Sequence, residues 1–296
     1  MLGQISDCLI DTEIRFDEVL KKHTTIKTGG KATFFCVPKF FKDLLTLSNY
    51  FNEKKIPYKI IGNGSNLVFS DKGYKGGIIS LKSFNCVDFV GDKIRAYSGA
   101  NPKIVYDFAI KHGYSSLESL LGIPASLGGM VVMNAGAFNK SISDNIISVG
   151  CIRDGKLVVY DKKDCRFGYR KSRFLNSNEI VLFVDFIFPK GNLTQIENTA
   201  NFFINKRKSS QPKGYSAGSV FKNPKNAFAG KLIESLSLKG ERVGGAFVSK
   251  EHANFIINDG TASSLDIFLL KNKIQEKVFK EYGINLETEI EFVGEF

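Results

Sequence analysis

The sequence predicts a mixed protein of the α+β or α/β class, built in two or three lobes. Segments with apolar residues at helical spacing alternate along the chain with short runs of β-branched and aromatic residues. The 296 residues, of which 43% are hydrophobic, are enough for ordinary packed cores. That hydrophobic content argues against disorder, and the sequence has no detectable internal repeat or low-complexity tract.

The first hundred residues predict one helix among several strands. Residues 1 to about 22 have no clear pattern, and HTTIKTGGKATFFCVP then predicts a glycine turn and a strand. Apolar residues at helical spacing predict an amphipathic helix over 39–54, ending before Pro57. YKII, GGIISL and KIRAYSG are typical of strands, and the glycine loop GNGSNLVFSD separates the first two.

A second helix is bracketed by its terminal residues. Asn101 suits the N-cap, Pro102 the first turn, and Gly113 the position past the end. We expect its inner face to carry Ile104, Val105, Phe108 and Ala109. The next segment, GIPASLGGMVVMNAGAF, is rich in glycine and alanine, which indicates that something approaches its backbone closely.

The second half of the chain continues the alternation, with a boundary expected near Gly191. VGCIRDGKLVVYD predicts a hairpin that turns at Asp154-Gly155. The remaining predicted elements are a strand in EIVLFVDFIFP, helices over 194–208 and 229–235, strands in VGGAFVS and HANFIIN, a long helix introduced by Thr261 to Ser264 with Ile267, Leu270, Ile274 and Val278 on one face, and a final strand in INLETEIEFVG.

The charge balance favours an anionic partner. The chain carries 41 basic and 30 acidic side chains, a formal net charge of +11. Nucleic acid, a membrane surface and a phosphorylated small molecule would all satisfy that charge. The basic residues are spread along the chain rather than massed in one segment, which fits a polyanionic metabolite better than nucleic acid.

Cysteine usage and the N-terminal sequence predict a reduced, cytoplasmic protein. The five cysteines are scattered without the short paired spacing of zinc or redox sites, and no His, Cys, Asp or Glu cluster has metal-ligand spacing. The N-terminus lacks the basic and then apolar order of a signal peptide, and no apolar run approaches about 18 residues. We expect no metal, no membrane insertion and a monomer.

Two glycine-rich segments are candidates for binding phosphate. Gly62-Asn63-Gly64-Ser65-Asn66 lies between two predicted strands and can form an anion nest, or else a plain turn. It lacks the third glycine of the Rossmann fingerprint. The segment from Gly122 to Gly136 can equally be a tightly packed helix start, with Gly128 and Gly129 allowing close contact. Two such segments together favour a pyrophosphate cradle.

These segments also carry a family resemblance. TTIKTGG, GNGSNLVFSD and GIPASLGGMVVMNAGAF, in this order, resemble the FAD-binding segments of UDP-N-acetylenolpyruvoylglucosamine reductases. The resemblance continues through YRKSRF, AGSVFKNP, GGAFVS, HANFIIN and LETEIEFVG, nearly everything after residue 20. Ala125 stands where the family usually has glycine, and Phe138 where tyrosine is common. The short span over 171–217 is similar to that of the shorter subtype.

The resemblance implies an α+β fold and an activity. The fold would be a two-lobed FAD-binding domain of the p-cresol methylhydroxylase and vanillyl-alcohol oxidase type over 1–190, with lobes at about 20–75 and 76–190. A smaller α+β substrate-binding domain would follow over 191–286, with a C-terminal active-site strand over 287–296. The activity would be NADPH-dependent reduction of UDP-N-acetylglucosamine enolpyruvate to UDP-N-acetylmuramate in peptidoglycan synthesis, through non-covalent FAD. The implied FAD-binding residues are Gly62, Asn63, Gly64, Ser65, Asn66, Gly122, Ile123, Pro124, Ala125, Ser126, Gly128, Gly129, Asn134, Ala135 and Gly136.

The reaction needs a cation for the substrate carboxylate and an acid for the enolate carbon. The resemblance implies Arg170 as the cation, where a guanidinium can form two parallel hydrogen bonds. It implies Ser219 as the proton donor and Glu289 as the acidic partner. Glu287, Glu289 and Glu291 alternate and should share one face of a strand, so spacing alone does not choose among them. Tyr169, Asn223 and His252 are the expected substrate contacts, with Asn254 as a further candidate.

Other functions compete with this interpretation. A flavin oxidase or dehydrogenase of the wider FAD-binding superfamily would act on an alcohol or hydroxy acid. Such enzymes often tether flavin through histidine or cysteine, and neither residue occurs in the two glycine-rich segments. A flavin-binding module without catalysis would bind the cofactor without turnover. A basic nucleic-acid binder would be colourless and retain DNA or RNA in a salt-sensitive way.

Overall fold

A computed structural model describes residues 8–296, and these divide into two compact units. Unit 1 comprises the described residues up to Arg15, then Phe34–Gly62 and Gly76–Arg207. Unit 2 comprises Phe16–Thr33, Asn63–Lys75 and Lys208–Phe296. The domain boundaries at 190/191 and 286/287 stay a prediction. The expectation about a signal peptide falls partly on residues 1–7, which lie outside the described residues.

Helices and strands alternate along the described chain. The helices are α1 Phe41–Glu53, α2 Pro102–Lys111, α3 Leu127–Met133, α4 Leu193–Ser210, α5 Ala229–Ser235 and α6 Ser264–Tyr282. The strands are β1 Thr12–Val19, β2 Lys31–Pro38, β3 Tyr58–Ile61, β4 Leu67–Phe69, β5 Tyr74–Ser80, β6 Val87–Val90, β7 Lys93–Tyr97, β8 Gly136–Ala137, β9 Lys140–Ser141, β10 Ile146–Arg153, β11 Lys156–Asp161, β12 Ile180–Phe186, β13 Arg242–Val243, β14 Ala246–Val248, β15 Ile256–Asn258 and β16 Glu291–Val293.

The larger sheet of unit 1 is antiparallel, with strand order β11-β10-β12-β7-β6. The predicted hairpin between β10 and β11 is confirmed: Arg153 pairs with Lys156 across a two-residue turn. Asp154 and Gly155 have φ of 50° and 70°, the left-handed conformation that such a turn requires. Helices α2 and α3 contribute to the core of this sheet through Val105, Ala109, Leu127 and other buried residues.

A second core of unit 1 lies around helix α1. Leu44, Leu47 and Phe51 of α1 are buried there with residues of β2, β5 and β12. Strand β3 pairs with β5 in parallel, within a sheet of order β1-β2-β5-β3.

The predicted helix α2 is confirmed, because Asn101 Oδ1 accepts from the Ile104 amide at 3.0 Å. Ile104 itself is exposed, so its place on the inner face was wrong. Val105 and Ala109 are buried on that face, and Phe108 is partly buried against the same core.

Unit 2 packs helix α6 against a small antiparallel sheet of order β13-β14-β15. A capping box of Ser263 with Asp266 starts the helix, and Gly283 at φ 66° ends it. The predicted apolar face is confirmed, since its four residues, Ile267, Leu270, Ile274 and Val278, are buried. Burial of this face against the sheet holds unit 2 together.

The predicted C-terminal strand is shorter in the structure. Regular strand covers only Glu291–Val293, which pairs in parallel with β4. Glu289 and Ile290 form a bend, and Thr288 makes an isolated bridge to Phe221. The expected alternation over the three glutamates therefore breaks at Glu289. Sequence reasoning also missed β1 and the β8–β9 hairpin, because β1 has an irregular burial pattern and each strand of the hairpin is two residues long.

The cysteines are free thiols among the described residues. Burial raises the pKa of Cys36, Cys151 and Cys165 to about 12, so these groups stay protonated packing residues. Within residues 8–296, no group of three or more His, Cys, Asp or Glu side chains is placed to hold a metal ion. No helix in that range is both long and apolar enough to cross a membrane.

Candidate active site

The glycine loop at 62–66 is closely packed at both of its glycines, Gly62 and Gly64. A Cβ on Gly62 would lie 1.8 Å from Ser126 Oγ, so only glycine fits beside the second glycine-rich segment. Gly64 has φ 61°, and a Cβ there would lie 2.1 Å from the His23 carbonyl oxygen. Close contacts at Gly62 and Gly64, together with the positive φ of Gly64, therefore require glycine at both positions, and anion binding by this loop stays a prediction.

The paired glycines of the second segment, Gly128 and Gly129, have different surroundings. Gly128, the second residue of α3, is buried and donates its amide to the Ser98 carbonyl at 2.9 Å. A Cβ on Gly128 would lie 2.7 Å from Ser98 Cβ, so this glycine serves packing. Gly129, by contrast, is exposed, and a Cβ there would meet only Ser126 Oγ, at 3.6 Å. Its backbone is left open to a ligand.

A buried arginine supports the start of this segment. Arg207, near the end of α4, donates from Nε to the Leu121 carbonyl at 3.0 Å and from Nη2 to the Ser119 carbonyl at 3.1 Å. Its aliphatic stem lies against Gly122, whose φ is 83°. Burial lowers the pKa of the Arg207 guanidinium. Sequence reasoning missed this residue, although it shares the buried face of α4 with Ile196 and Ala200, where a charged residue is unusual.

Three predicted site residues meet at one place in unit 1. Asn134 ends α3 in the left-handed conformation and donates from Nδ2 to the Gly168 carbonyl at 2.8 Å. Its Oδ1 is buried and has no hydrogen-bond partner among the described residues. Arg170 donates from Nη2 to the Gly136 carbonyl at 3.0 Å. The structure thus joins the expected cofactor segment to the expected catalytic arginine.

Arg170 lies at the tip of a tight turn. Gly168 and Lys171 exchange two backbone hydrogen bonds, which leaves Tyr169 and Arg170 as the two turn residues. The Arg170 guanidinium is 5.2 Å from the Tyr169 ring centroid, and Tyr169 is 57% exposed. Arg173 has a different role, since it bonds Glu179 and lies over the Tyr160 ring. The turn therefore presents Arg170, whereas Arg173 is engaged in packing.

In unit 2, Ser219 lies on a segment held from both sides. Ser219 bridges Phe255, and the next residue, Val220, donates its amide to the Asn254 carbonyl at 2.8 Å. The Val220 carbonyl accepts from the Glu289 amide at 2.8 Å. Gly218, with φ 82°, precedes the serine. The structure thus brings Ser219 and Glu289 onto adjacent segments, fixed through the backbone.

The three terminal glutamates have different surroundings. Glu287 is exposed and bonds Lys222, and Glu291 is exposed at the start of β16. Glu289 is partly buried at the bend, beside the Ser219 segment. The even spacing in the sequence therefore does not give equivalent carboxylates, and Glu289 is the one placed next to the serine segment.

The remaining polar candidates are divided between exposed and structural roles. Asn223 is exposed, and its Oδ1 accepts from the Ala229 amide at 3.0 Å at the start of α5. His252 lies beside Gly230 with its ring 4.9 Å from that of Phe255, and burial lowers the pKa of its imidazole. Asn254 is buried, and its amide group bonds both backbone groups of Phe221. Asn254 is thereby committed to holding two segments together.

These features fit the FAD that the resemblance implies. The buried Asn134 Oδ1 is an acceptor that needs a donor, and an unsatisfied buried acceptor costs about 1–3 kcal/mol. Gly129 is exposed, and a Cβ there would meet only Ser126 Oγ, so its backbone stays accessible to a ligand. The unsatisfied Asn134 Oδ1 and the accessible backbone of Gly129 together suit a cofactor that carries both a hydrogen-bonding ring and phosphates.

Comparisons with known proteins cover both parts of the chain. The family model of an FAD binding domain matches residues 32–160, and that of the UDP-N-acetylenolpyruvoylglucosamine reductase C-terminal domain matches residues 209–293. The chain is 40% identical over 290 residues to the UDP-N-acetylenolpyruvoylglucosamine reductase of Clostridium kluyveri, covering 97% of this chain and 95% of that protein. It is 38% identical over 284 residues to that of Geotalea uraniireducens, covering 95% and 94%.

Solved structures of other proteins also resemble this chain. The crystal structure of the Thermus caldophilus UDP-N-acetylenolpyruvylglucosamine reductase matches with a TM-score of 0.82 and 35% identity, covering 96% of this chain and 99% of that one. A variant of the BBE-like 1 protein of Physcomitrella patens matches 64% of this chain with a TM-score of 0.51 and 13% identity, a likeness of fold alone. The α+β fold with an FAD-binding domain is thus confirmed, and the chain belongs to the UDP-N-acetylenolpyruvoylglucosamine reductase family.

Proposed function

We propose that this protein reduces UDP-N-acetylglucosamine enolpyruvate to UDP-N-acetylmuramate with NADPH, through non-covalently bound FAD. The observation that carries the proposal is similarity of 40% identity over 97% of the chain. That similarity covers the part matched as FAD-binding and the part matched as the reductase C-terminal domain. Both halves of the chemistry, cofactor binding and substrate binding, are therefore supported.

Arg170 binds the enolpyruvyl carboxylate in this proposal. Bound FAD supplies the hydride that reduces the substrate double bond. Negative charge then grows on the carboxylate side of the substrate, and a guanidinium stabilises it through two parallel hydrogen bonds. The turn at Gly168–Lys171 holds the Arg170 backbone, and its bond to the Gly136 carbonyl orients the side chain.

Ser219 gives the proton to the enolate carbon, and Glu289 is its acidic partner. A serine hydroxyl is a weak acid, so it donates only if it is held directly against a basic carbon. The contacts of Val220 with Asn254 and Glu289 hold that segment in place. Partial burial and proximity to this segment distinguish Glu289 from its two exposed neighbours.

The binding residues follow the same division. The glycine loop 62–66 and the segment from Gly122 to Gly136 hold FAD, with Asn134 Oδ1 accepting one hydrogen bond. Tyr169, Asn223 and His252 contact the nucleotide sugar. Asn254 is left out because its side chain is committed to Phe221. Monomeric state, cytoplasmic location and the domain boundaries stay predictions.

Anaerobic absorbance spectroscopy tests this function. NADPH should bleach the flavin absorbance of the purified protein, and the enolpyruvyl nucleotide sugar should restore it. A simple alcohol or hydroxy acid should leave the flavin oxidised. Reduction by such an alcohol, combined with no response to the nucleotide sugar, would instead establish an oxidase of the wider superfamily.

A further inference from the structure

Asn66, the last residue of the glycine loop at 62–66, forms two hydrogen bonds with the bend that carries Glu289. Its side-chain Nδ2 donates to the Glu289 carbonyl oxygen at 3.0 Å. Its own carbonyl oxygen accepts from the Glu291 amide at 2.9 Å. All three residues belong to unit 2. One loop residue therefore bonds to the chain on both sides of Ile290.

These two hydrogen bonds hold the bend at Glu289, where regular strand pairing is absent. The parallel ladder of β16 with β4 begins only at Glu291, opposite Leu67, so Glu289 lies outside it. On its other side, the Glu289 amide bonds the Val220 carbonyl next to Ser219. A backbone bond to Val220 and a side-chain bond from Asn66 thus both act on Glu289. Removing the Asn66 amide removes the second of these bonds, at the Glu289 carbonyl.

We propose that Asn66 is a positioning residue for Glu289. Through Asn66, the glycine loop at 62–66 holds the segment that bears the carboxylate. The inference rests on the proposed function, because it takes Glu289 to act in the reaction. A misplacement of about 1 Å can slow a reaction about 100-fold, so one orienting bond has a measurable effect. In this positioning role, Asn66 would act through Glu289 and would not contact the reacting atoms.

The competing explanation is that Asn66 merely anchors the C-terminal segment. The chain offers a matched control for that explanation, since Gln275 of α6 donates from Nε2 to the Leu286 carbonyl at 2.7 Å. This is the same kind of bond to the same segment, three residues before Glu289. If anchoring were the only role, loss of either amide would have similar consequences.

The test compares Asn66→Ala, Gln275→Ala, Glu289→Gln and the double variant Asn66→Ala with Glu289→Gln. Stopped-flow absorbance at saturating FAD follows flavin reduction by NADPH and reoxidation by the nucleotide sugar separately, with Tm as the measure of folding. Asn66→Ala should slow reoxidation about 10- to 100-fold, and should slow reoxidation more than it slows reduction. Gln275→Ala should lower Tm without slowing reoxidation. The double variant should be no slower than Glu289→Gln.

A second readout needs no cofactor. In the FAD-free protein, Asn66→Ala should raise deuterium uptake over residues 288–293, and Asn66→Ser, which keeps a donor, should raise it less. The inference would be overturned if Asn66→Ala and Gln275→Ala slowed reoxidation equally. It would also be overturned if the slowing in the double variant were the product of the slowing in Asn66→Ala and in Glu289→Gln. Failure of Asn66→Ala to fold while Gln275→Ala folds would likewise overturn it. Full activity of Glu289→Gln would remove the proposed role of Glu289 itself, whereas a slow Glu289→Gln beside a normal Asn66→Ala would remove only Asn66.

Discussion

Ser219 is the residue where mechanism and turn structure make different predictions. A proton donor acts after hydride transfer, so Ser219→Ala should bind FAD and be reduced by NADPH normally. Its reoxidation by the nucleotide sugar should slow by roughly 10²- to 10⁴-fold, the range for loss of a positioned acid. Ser219→Cys should recover part of that loss, because a thiol can also donate a proton. Stopped-flow absorbance separates the two half-reactions.

Ser216→Ala is the control for this experiment, because it lies three residues earlier on the same segment and its carbonyl bond to Thr25 would survive the change. We expect it to leave both half-reactions unchanged. A serine that serves only the turn would give mild, similar losses for alanine and cysteine, with a lower Tm. Near-normal reoxidation in Ser219→Ala would remove this residue from the mechanism.

His252 gives a pH dependence at the residue scale. Burial lowers the pKa of its imidazole from the ordinary value of 6.5, so the folded protein favours the neutral ring. Its contribution to stability is therefore fully present above about pH 6.5 and is lost as pH falls through the lowered pKa. Between pH 7.5 and about 5.5, the Tm of the wild type should fall more steeply than that of His252→Gln. Parallel curves would contradict this.

At the scale of elements, the position of one loop depends on a helix far along the chain. Arg207 of α4 bonds the carbonyls of Ser119 and Leu121, immediately before Gly122. Arg207→Lys keeps the charge but loses the planar fork that reaches both carbonyls. We expect FAD to dissociate about tenfold more readily, equivalent to about 1.4 kcal/mol. Fluorescence titration of the FAD-free protein measures the change.

Arg166→Lys provides the matched comparison for Arg207→Lys, since Arg166 is exposed in the same unit. It should bind FAD as the wild type does. Equal affinities for all three proteins would show that the cofactor segment keeps its place without Arg207. A loss in both variants would instead indicate a general effect of replacing a guanidinium group by an ammonium group.

Elements were predictable from sequence where local chemistry specified them. Asn101 and Pro102 start α2, Asp154-Gly155 turns the β10–β11 hairpin, and the apolar face of α6 is buried as its spacing requires. The final strand was overextended, because alternating glutamates suit a strand in sequence. In the structure only Glu291–Val293 finds a partner strand, and the residues before it bend toward the Ser219 segment.

At the scale of the whole molecule, the mode of flavin binding is open to a direct test. The two glycine-rich segments contain no histidine or cysteine that could tether the cofactor. The purified protein should therefore be yellow and release all of its flavin when denatured in guanidinium. Ultrafiltration of the denatured sample, with absorbance read on both fractions, measures the release. Flavin retained with the polypeptide would contradict a non-covalent site and favour a tethered oxidase.

The sequence by itself determined the fold class, the FAD-binding and reductase segments and the family, because these depend on local periodicity, turn chemistry and ordered motifs. The family resemblance selected Glu289, but only the tertiary structure shows that Glu287, Glu289 and Glu291 have different surroundings, since equal spacing says nothing about which segment each carboxylate meets. Likewise, only folding made Arg207 a support for Leu121 and Asn66 a partner of Glu289. Such hydrogen bonds join residues 86 and 223 positions apart, and no local pattern encodes a partner at that distance.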